Sequence, residues 1–277
     1  MPADDLVLHR LLMRTDGSLT APPREVPTGF PSADKLLGGG LRRGDLIVLT
    51  GDVAVGKSAL ALAMALRASA AGRTALFVSG ETTPDRLLER LVAMQSRLSL
   101  DDLRRGTLDD ESRAAVGAAA FALRANAPAL ERMASGNTVE LADTLRRVPD
   151  LELAVVDGLA TLVTGNRARD EEMSASMTAI KRLAVELDIA IILTVPLSDA
   201  TRSRPDPRPV LTDLGALGTP AQLADVVLAL FREEMYQADR GIEGAAELHV
   251  LKNRHGPTGW VDLYFYQNWL RFEDVAE

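Results

Sequence analysis

Gly51-Asp52-Val53-Ala54-Val55-Gly56-Lys57-Ser58 is the stretch that decides the fold. It has the form G-x-x-x-x-G-K-[ST] and lies between the apolar run Leu46–Thr50 and the Ala/Leu-rich stretch Ser58–Ala68. A buried strand, a glycine-bearing loop and a helix in that order make a phosphate cradle. The glycines let successive backbone N–H groups curl around an anion. The helix that follows offers its N-terminus to the same charge. Lys57 has the reach for β- and γ-phosphates, and the Ser58 hydroxyl suits a magnesium ion. Gly51, Asp52, Val53, Ala54, Val55, Gly56, Lys57, Ser58 and the adjoining Ala59 are therefore the candidate contacts for ATP.

Two further groups complete such a site. A magnesium ion needs a second oxygen anchor, and the apolar run Leu153–Val156 delivers the carboxylate of Asp157 at its end, the Walker B arrangement. Hydrolysis needs a group that orients or deprotonates water. Glu81 follows the apolar strand Thr74–Ser79 across Gly80. In a parallel sheet that strand end faces the same edge as the phosphate loop, so Glu81 is the candidate base.

Outward from the loop, strands and helices alternate. Helices are expected over Ser58–Ala68, Asp85–Met94 with Pro84 in its first turn, Asp109–Asn126, Thr138–Arg147 and Glu171–Leu187. Ser99 is placed to cap a short helix that Gly106 ends. Strands are expected at Ala154–Val156, Ile189–Leu193, Val226–Phe231, Ala246–Leu251, Trp260–Tyr266 and Leu270–Phe272. The pattern predicts an α/β domain with a mainly parallel central sheet flanked by helices and a more β-rich C-terminal part. Residues 28–277 form that domain in this reading, and 1–27 an appended segment. Leu8, Leu11, Leu12 and Thr15 share a helical face there, with Val7 beside them, before Asp16-Gly17-Ser18 breaks the pattern. That helix packs either on its own domain or on a neighbouring subunit.

Composition narrows the function classes. The chain has 277 residues, 47% hydrophobic and 25% charged, which suits one large soluble core. Cysteine is absent, so disulfides and cysteine-metal sites are excluded, and the three histidines, His9, His249 and His255, are scattered, which argues against a histidine-based zinc site. No apolar run approaches the roughly 20 residues that span a bilayer, and the acidic start has no secretory pattern. A cytoplasmic protein without a membrane partner is expected. The net charge of −8 argues against broad coating of duplex DNA, though not against a local basic loop.

Several segments then resemble a known family. Pro27-Thr28-Gly29-Phe30 through Leu41-Arg42-Arg43-Gly44-Asp45 resembles the start of RecA-like ATPases in general. More specific are Ser96–Leu108, Ala224-Asp225-Val226-Val227 with Phe231-Arg232-Glu233-Glu234, and above all Lys252-Asn253-Arg254-His255-Gly256-Pro257-Thr258-Gly259. These are similar to the C-terminal motor domain of replicative DnaB-type helicases, over about residues 26–274, without the family's N-terminal collar. The resemblance implies a RecA-like P-loop NTPase fold and a homohexameric ring. It also implies ATP hydrolysis at subunit interfaces, translocation on single-stranded DNA in replication, and replication or loader proteins as partners. Lys57, Ser58, Glu81 and Asp157 take the ATPase roles. Lys252 and Arg254 match the basic pair that the family inserts into the neighbouring subunit's site, and 1–27 takes the place of the docking linker. Arg167 and Arg169, in the loop after Walker B, and Gly215 and Gly218, in the loop after Asp213-Leu214, are the candidate DNA contacts.

The chain departs from the family in three places. Pro196 stands where a polar glutamine usually senses phosphate, and proline's side chain cannot hydrogen-bond. Gly215-Ala216-Leu217-Gly218 replaces a charged pair, and Gly158-Leu159-Ala160 lacks the polar residue after Walker B. Arg202, Arg204 and Arg208 supply basic charge nearby, with no aromatic platform for base stacking in either loop. These departures leave a second reading open: a related switch or assembly ATPase that hydrolyses ATP without productive unwinding.

Overall fold

The computed structural model describes residues 12–13, 25–134, 137–158, 169–197, 204–214, 219–236 and 242–275, with backbone alone for 169, 170 and 219. Arg167, Arg202, Gly215, Gly218 and nearly all of the appended segment 1–27 lie outside them, as does the side chain of Arg169.

The chain enters through β1 (Glu25–Val26), α1 (Pro31–Leu37) and β2 (Leu41–Arg42). The phosphate loop links β3 (Leu46–Gly51) to α2 (Lys57–Ala70). Then come β4 (Ala75–Ser79), α3 (Pro84–Ser96), α4 (Leu100–Arg105), α5 (Asp110–Asn126), β5 (Ala129–Arg132), α6 (Thr138–Arg147) and β6 (Leu153–Asp157). After α7 (Arg169–Leu187), β7 (Ala190–Pro196) and α8 (Thr219–Leu223), the chain closes with β8 (Val226–Phe231), β9 (Ala245–Asn253), β10 (Gly259–Tyr266) and β11 (Arg271–Asp274).

Nine strands form one sheet in the order β11-β10-β9-β8-β3-β7-β6-β4-β5. The run from β8 to β5 is parallel, and β9, β10 and β11 add antiparallel to β8. This is the expected α/β architecture with its β-rich end. β3 lies central, which is why all six of its residues are buried and why Leu46–Thr50 reads as a continuous apolar run. Ile47 and Leu49 face one core, with α2, Phe77, Val155 and Phe272. Leu46 and Val48 face the other, with Val156, Met177 and Ile180.

The caps follow the sequence. Ser99 accepts the Asp102 N–H and Gly106 ends α4 in the left-handed region. Asp109 caps α5 rather than opening it, by accepting the Ser112 N–H. Five elements were not anticipated: β1, β2, α1, β5 and α8. β5 is an edge strand whose Ala-Leu-Glu-Arg pattern carries no apolar run. α1 opens on Pro31 and stops at the left-handed Gly38, both ordinary helix punctuation hidden in a stretch read as a family signature.

Arg67, on α2, ties both chain ends to the core. It donates to the carbonyls of Gly29 (2.6 Å) and Phe272 (2.7 Å) and to the Glu273 carboxylate (2.6 Å), and lies 4.2 Å above the Phe30 ring.

Candidate active site

The loop's shape follows from its glycines. Gly56 stands at φ 110° as the N-cap of α2, a conformation that side chains rarely adopt, and an added Cβ would lie 3.0 Å from the Phe272 ring. α2 therefore begins at Lys57, and its first N–H groups face the loop without intrahelical partners. Lys57 Nζ donates to the carbonyls of Gly51 (3.1 Å) and Asp52 (2.8 Å). Burial lowers the pKa of this ammonium, while the charges of Asp157, Asp52 and Glu81 work against the shift. Asp52 is itself held, accepting from the Tyr236 hydroxyl at 3.2 Å and the Val53 N–H at 2.7 Å.

The two expected magnesium anchors meet although 99 residues separate them. Ser58 Oγ donates to Asp157 Oδ1 at 2.8 Å. Thr194, on the neighbouring β7, donates to the same oxygen at 2.9 Å, and its own oxygen accepts the Gly158 N–H at 2.8 Å. A hydroxyl and a buried carboxylate side by side are the hard oxygen donors that Mg²⁺ takes, so the residues present fit that ion. Thr194 escaped the sequence reading because a threonine among Ile191, Ile192, Leu193 and Val195 looks like an ordinary strand former.

Glu81 arrives beside this pair. β4 and β6 are register partners at Ser79 and Asp157, and the Ser79 hydroxyl accepts the N–H groups of Glu81 (3.2 Å) and Thr82 (3.0 Å). Gly158, at φ 99°, leaves the space that Glu81 uses: an added Cβ would stand 3.0 Å from Glu81 Oε1. The missing polar residue after Walker B is thus replaced by room for the carboxylate. Pro196 ends β7 as the register partner of Gly51, beside the loop's first residue.

A cleft of about 310 Å³ opens from the loop, bounded on its far side by Arg90, Arg232, Phe265 and Gln267. Arg232 is almost fully buried, paired with Glu234 and 4.7 Å above the Phe265 ring. Nothing in its local sequence marked it as part of this wall.

Lys252 and Arg254 lie elsewhere. Lys252 is the register partner of Val227, at the start of β8, whereas the phosphate loop adjoins Leu230. The two cations thus sit at the opposite edge of the sheet, about 10–13 Å of strand from the loop of their own chain. Lys252 Nζ donates to the carbonyls of Ala221 (2.7 Å), Gln222 (3.2 Å) and Ala224 (2.6 Å), where α8 ends. Burial and then the charge of Arg254 lower its pKa. Arg254 is half exposed and touches Asp225 through Nε at 3.3 Å. Arg204 and Arg208 are engaged within the chain, in two-pronged pairs with Asp213 and Glu247.

Replicative DNA helicase DnaB of Leifsonia xyli subsp. xyli is 33% identical over 268 residues, 94% of this chain and 57% of that protein. DnaB of Pasteurella multocida is 32% identical over 278 residues, 96% of this chain and 58% of its own length. The chain therefore spans under two thirds of these relatives. In fold it superposes on the ATPase domain of G40P with a TM-score of 0.91 at 23% identity, each chain fully covered. It superposes at 0.88, also at 23% identity, on a DnaB-like replicative helicase described with its primase interactions, covering all of this chain and 67% of that one. The sequence profile of the DnaB-like helicase C terminal domain matches residues 25–274, from β1 to the end of β11, and to that family this chain belongs.

Proposed function

We propose that the chain is the ATP-hydrolysing motor of a replicative-type DNA helicase, with ATP and Mg²⁺ bound at the loop. The meeting of Ser58, Asp157 and Thr194 at one carboxylate oxygen, beside Lys57 and Glu81, carries this reading. Gly51–Ala59 hold the triphosphate, and Lys57 turns from the loop carbonyls to the β- and γ-oxygens. Ser58 and Asp157 would hold Mg²⁺, which would supply neutralising positive charge to the triphosphate. Glu81 takes a proton from the attacking water as its oxygen bonds to the γ-phosphorus and the bond to the β–γ bridging oxygen breaks, releasing ADP.

Residues 28–277 form the motor and 1–27 a docking segment. Their assembly is a homohexamer in which Arg254, with Lys252 beside it, completes the next subunit's site. Because the pair sits far from its own loop, only another copy can bring it to a triphosphate. The substrate track is single-stranded DNA, contacted through the loops holding Arg167, Arg169, Gly215 and Gly218. Primase or loader proteins are partners of the cytoplasmic assembly. Among the described residues no helix is long and apolar enough to cross a membrane. The relatives just named are replicative helicases, and the assembly-switch alternative gains nothing from them.

The test is ATP turnover against increasing single-stranded DNA, with ring size measured in the same buffer. Turnover should rise several-fold on a ring. A flat response from an assembled ring rejects the DNA motor.

A further inference from the structure

The turn that carries Arg254 is held at Lys252, Arg254 and His255, and one buried carboxylate is central to the holding. Asp225, directly before β8, is only 2% exposed. Its Oδ2 accepts the Leu46 N–H at 2.9 Å and the Lys181 ammonium at 2.5 Å. Its Oδ1 faces Arg254 Nε at 3.3 Å, and its backbone carbonyl accepts the Arg254 N–H at 2.9 Å. Lys181 reaches in from α7 and also donates to the Gly44 carbonyl at 2.8 Å. On one side of Arg254, Lys252 is fastened to the end of α8. On the other, His255 Nε2 lies 3.0 Å from Asp45 Oδ2 and 3.2 Å from Oδ1, with hydrogen-bond geometry toward Oδ1.

The manner of holding matters more than its strength. A carboxylate that pairs with a guanidinium across the terminal fork consumes the donors that would recognise a phosphate. The nearest approach of Asp225 is instead to Nε, at ion-pair distance and without a directed hydrogen bond. Among the described residues both terminal nitrogens of Arg254 remain unused by the chain, and the side chain is 52% exposed. Lys181 pairs with the other oxygen, so the buried carboxylate has a cationic partner that leaves much of the guanidinium unclaimed. The oxygens of Asp45 and Asp225 and the His255 nitrogen also come within 4.8 Å of one another. With Lys181 and Arg254 already on Asp225, that junction is a charge-balanced clamp and not a divalent-metal site.

We propose that Asp225 is a positioning residue for hydrolysis in the neighbouring subunit: its carboxylate pairs with Arg254 from the Nε side while its carbonyl holds the Arg254 backbone, and the terminal fork is so presented to the next site's phosphates. The proposal rests on the reading that Arg254 acts in trans. Misplacing a transition-state group by about 1 Å costs on the order of 100-fold. Asp225→Asn should accordingly lower kcat about 10- to 100-fold while leaving KM for ATP within about twofold, because its own phosphate loop is untouched.

Mixing separates positioning from general damage. Asp225→Asn subunits keep an intact loop, and Lys57→Ala subunits keep an intact Arg254. A random equal mixture joins the two at about a quarter of the interfaces, so turnover should rise above that of either variant alone. Arg254→Ala mixed with Lys57→Ala is the control. If the control pair recovers and the Asp225→Asn pair does not, the positioning role is overturned and the trans reading stands. If the control pair also fails, the trans reading falls and this inference with it. Unchanged kcat in Asp225→Asn overturns the positioning role directly. Should Asp225→Asn fail to bind ATP, the charge-balanced Asp225→Asn/Lys181→Met protein is carried through the same mixing, with the same outcomes deciding.

Discussion

The two edges of the central sheet differ in what they need. At the edge where the parallel strands end, β3, β4, β6 and β7 bring Lys57, Ser58, Glu81, Asp157 and Thr194 together within one chain. At the edge where β8 begins, Lys252 and Arg254 are held by α8 carbonyls and Asp225. The first edge can bind on its own. The second displays a cation far from the loop of its own chain. In the proposed assembly, binding is intramolecular and rate acceleration waits on a neighbour, whose Arg254 would stabilise the charge developing on the γ-phosphoryl group.

Substitutions should separate the two edges. Lys57→Ala ought to have the largest effect, suppressing ATP turnover by about a thousandfold or more, and mixed rings should recover no hydrolysis at the altered loops. Arg254→Ala should slow turnover by about the same factor or somewhat less while ATP affinity, read by a fluorescent analogue, holds steady. A matching loss of affinity would erase the distinction between the edges. Glu81→Gln should cost about 100-fold or more in kcat, and mixing with intact subunits should not repair the altered site, since the base acts in cis. Thr194→Val removes a hydroxyl that orients Asp157 and should raise the Mg²⁺ concentration needed for half-maximal turnover about tenfold. Arg67→Ala touches neither edge's chemistry. It should lower unfolding stability by about 2–4 kcal/mol in urea titration and leave the turnover of folded protein nearly unchanged.

How much of this was readable beforehand depends on how local each signal is. The phosphate loop, the ends of β4 and β6, and the caps at Ser99 and Gly106 all announce themselves within a few residues, and each is where the residues indicated. β5 was missed because an edge strand needs only one covered face and carries no apolar run. Thr194 was missed because it looks like ordinary strand material, and the place of Arg232 was missed although its segment had been singled out, because nothing local tells which wall it joins. Their significance arises from neighbours 37 and 35 residues away, Asp157 and Gln267. Arg204 and Arg208, read as candidate DNA-facing charge, have their prongs taken by Asp213 and Glu247, which the loop's composition could not disclose.

The sequence by itself determined the phosphate loop, the alternation that makes the sheet parallel, and the strand ends that deliver Glu81 and Asp157. Those are matters of chain-local geometry: glycine conformations, apolar periodicity and the direction a strand points. Only the tertiary structure decided that Ser58, Asp157 and Thr194 share one oxygen, that Gly158 makes room for Glu81, and that Arg254 stands at the far edge with Asp225 pairing from its Nε side. These depend on strand order and register, through which residues remote in the chain come within hydrogen-bond distance, and no run of neighbouring residues encodes that order.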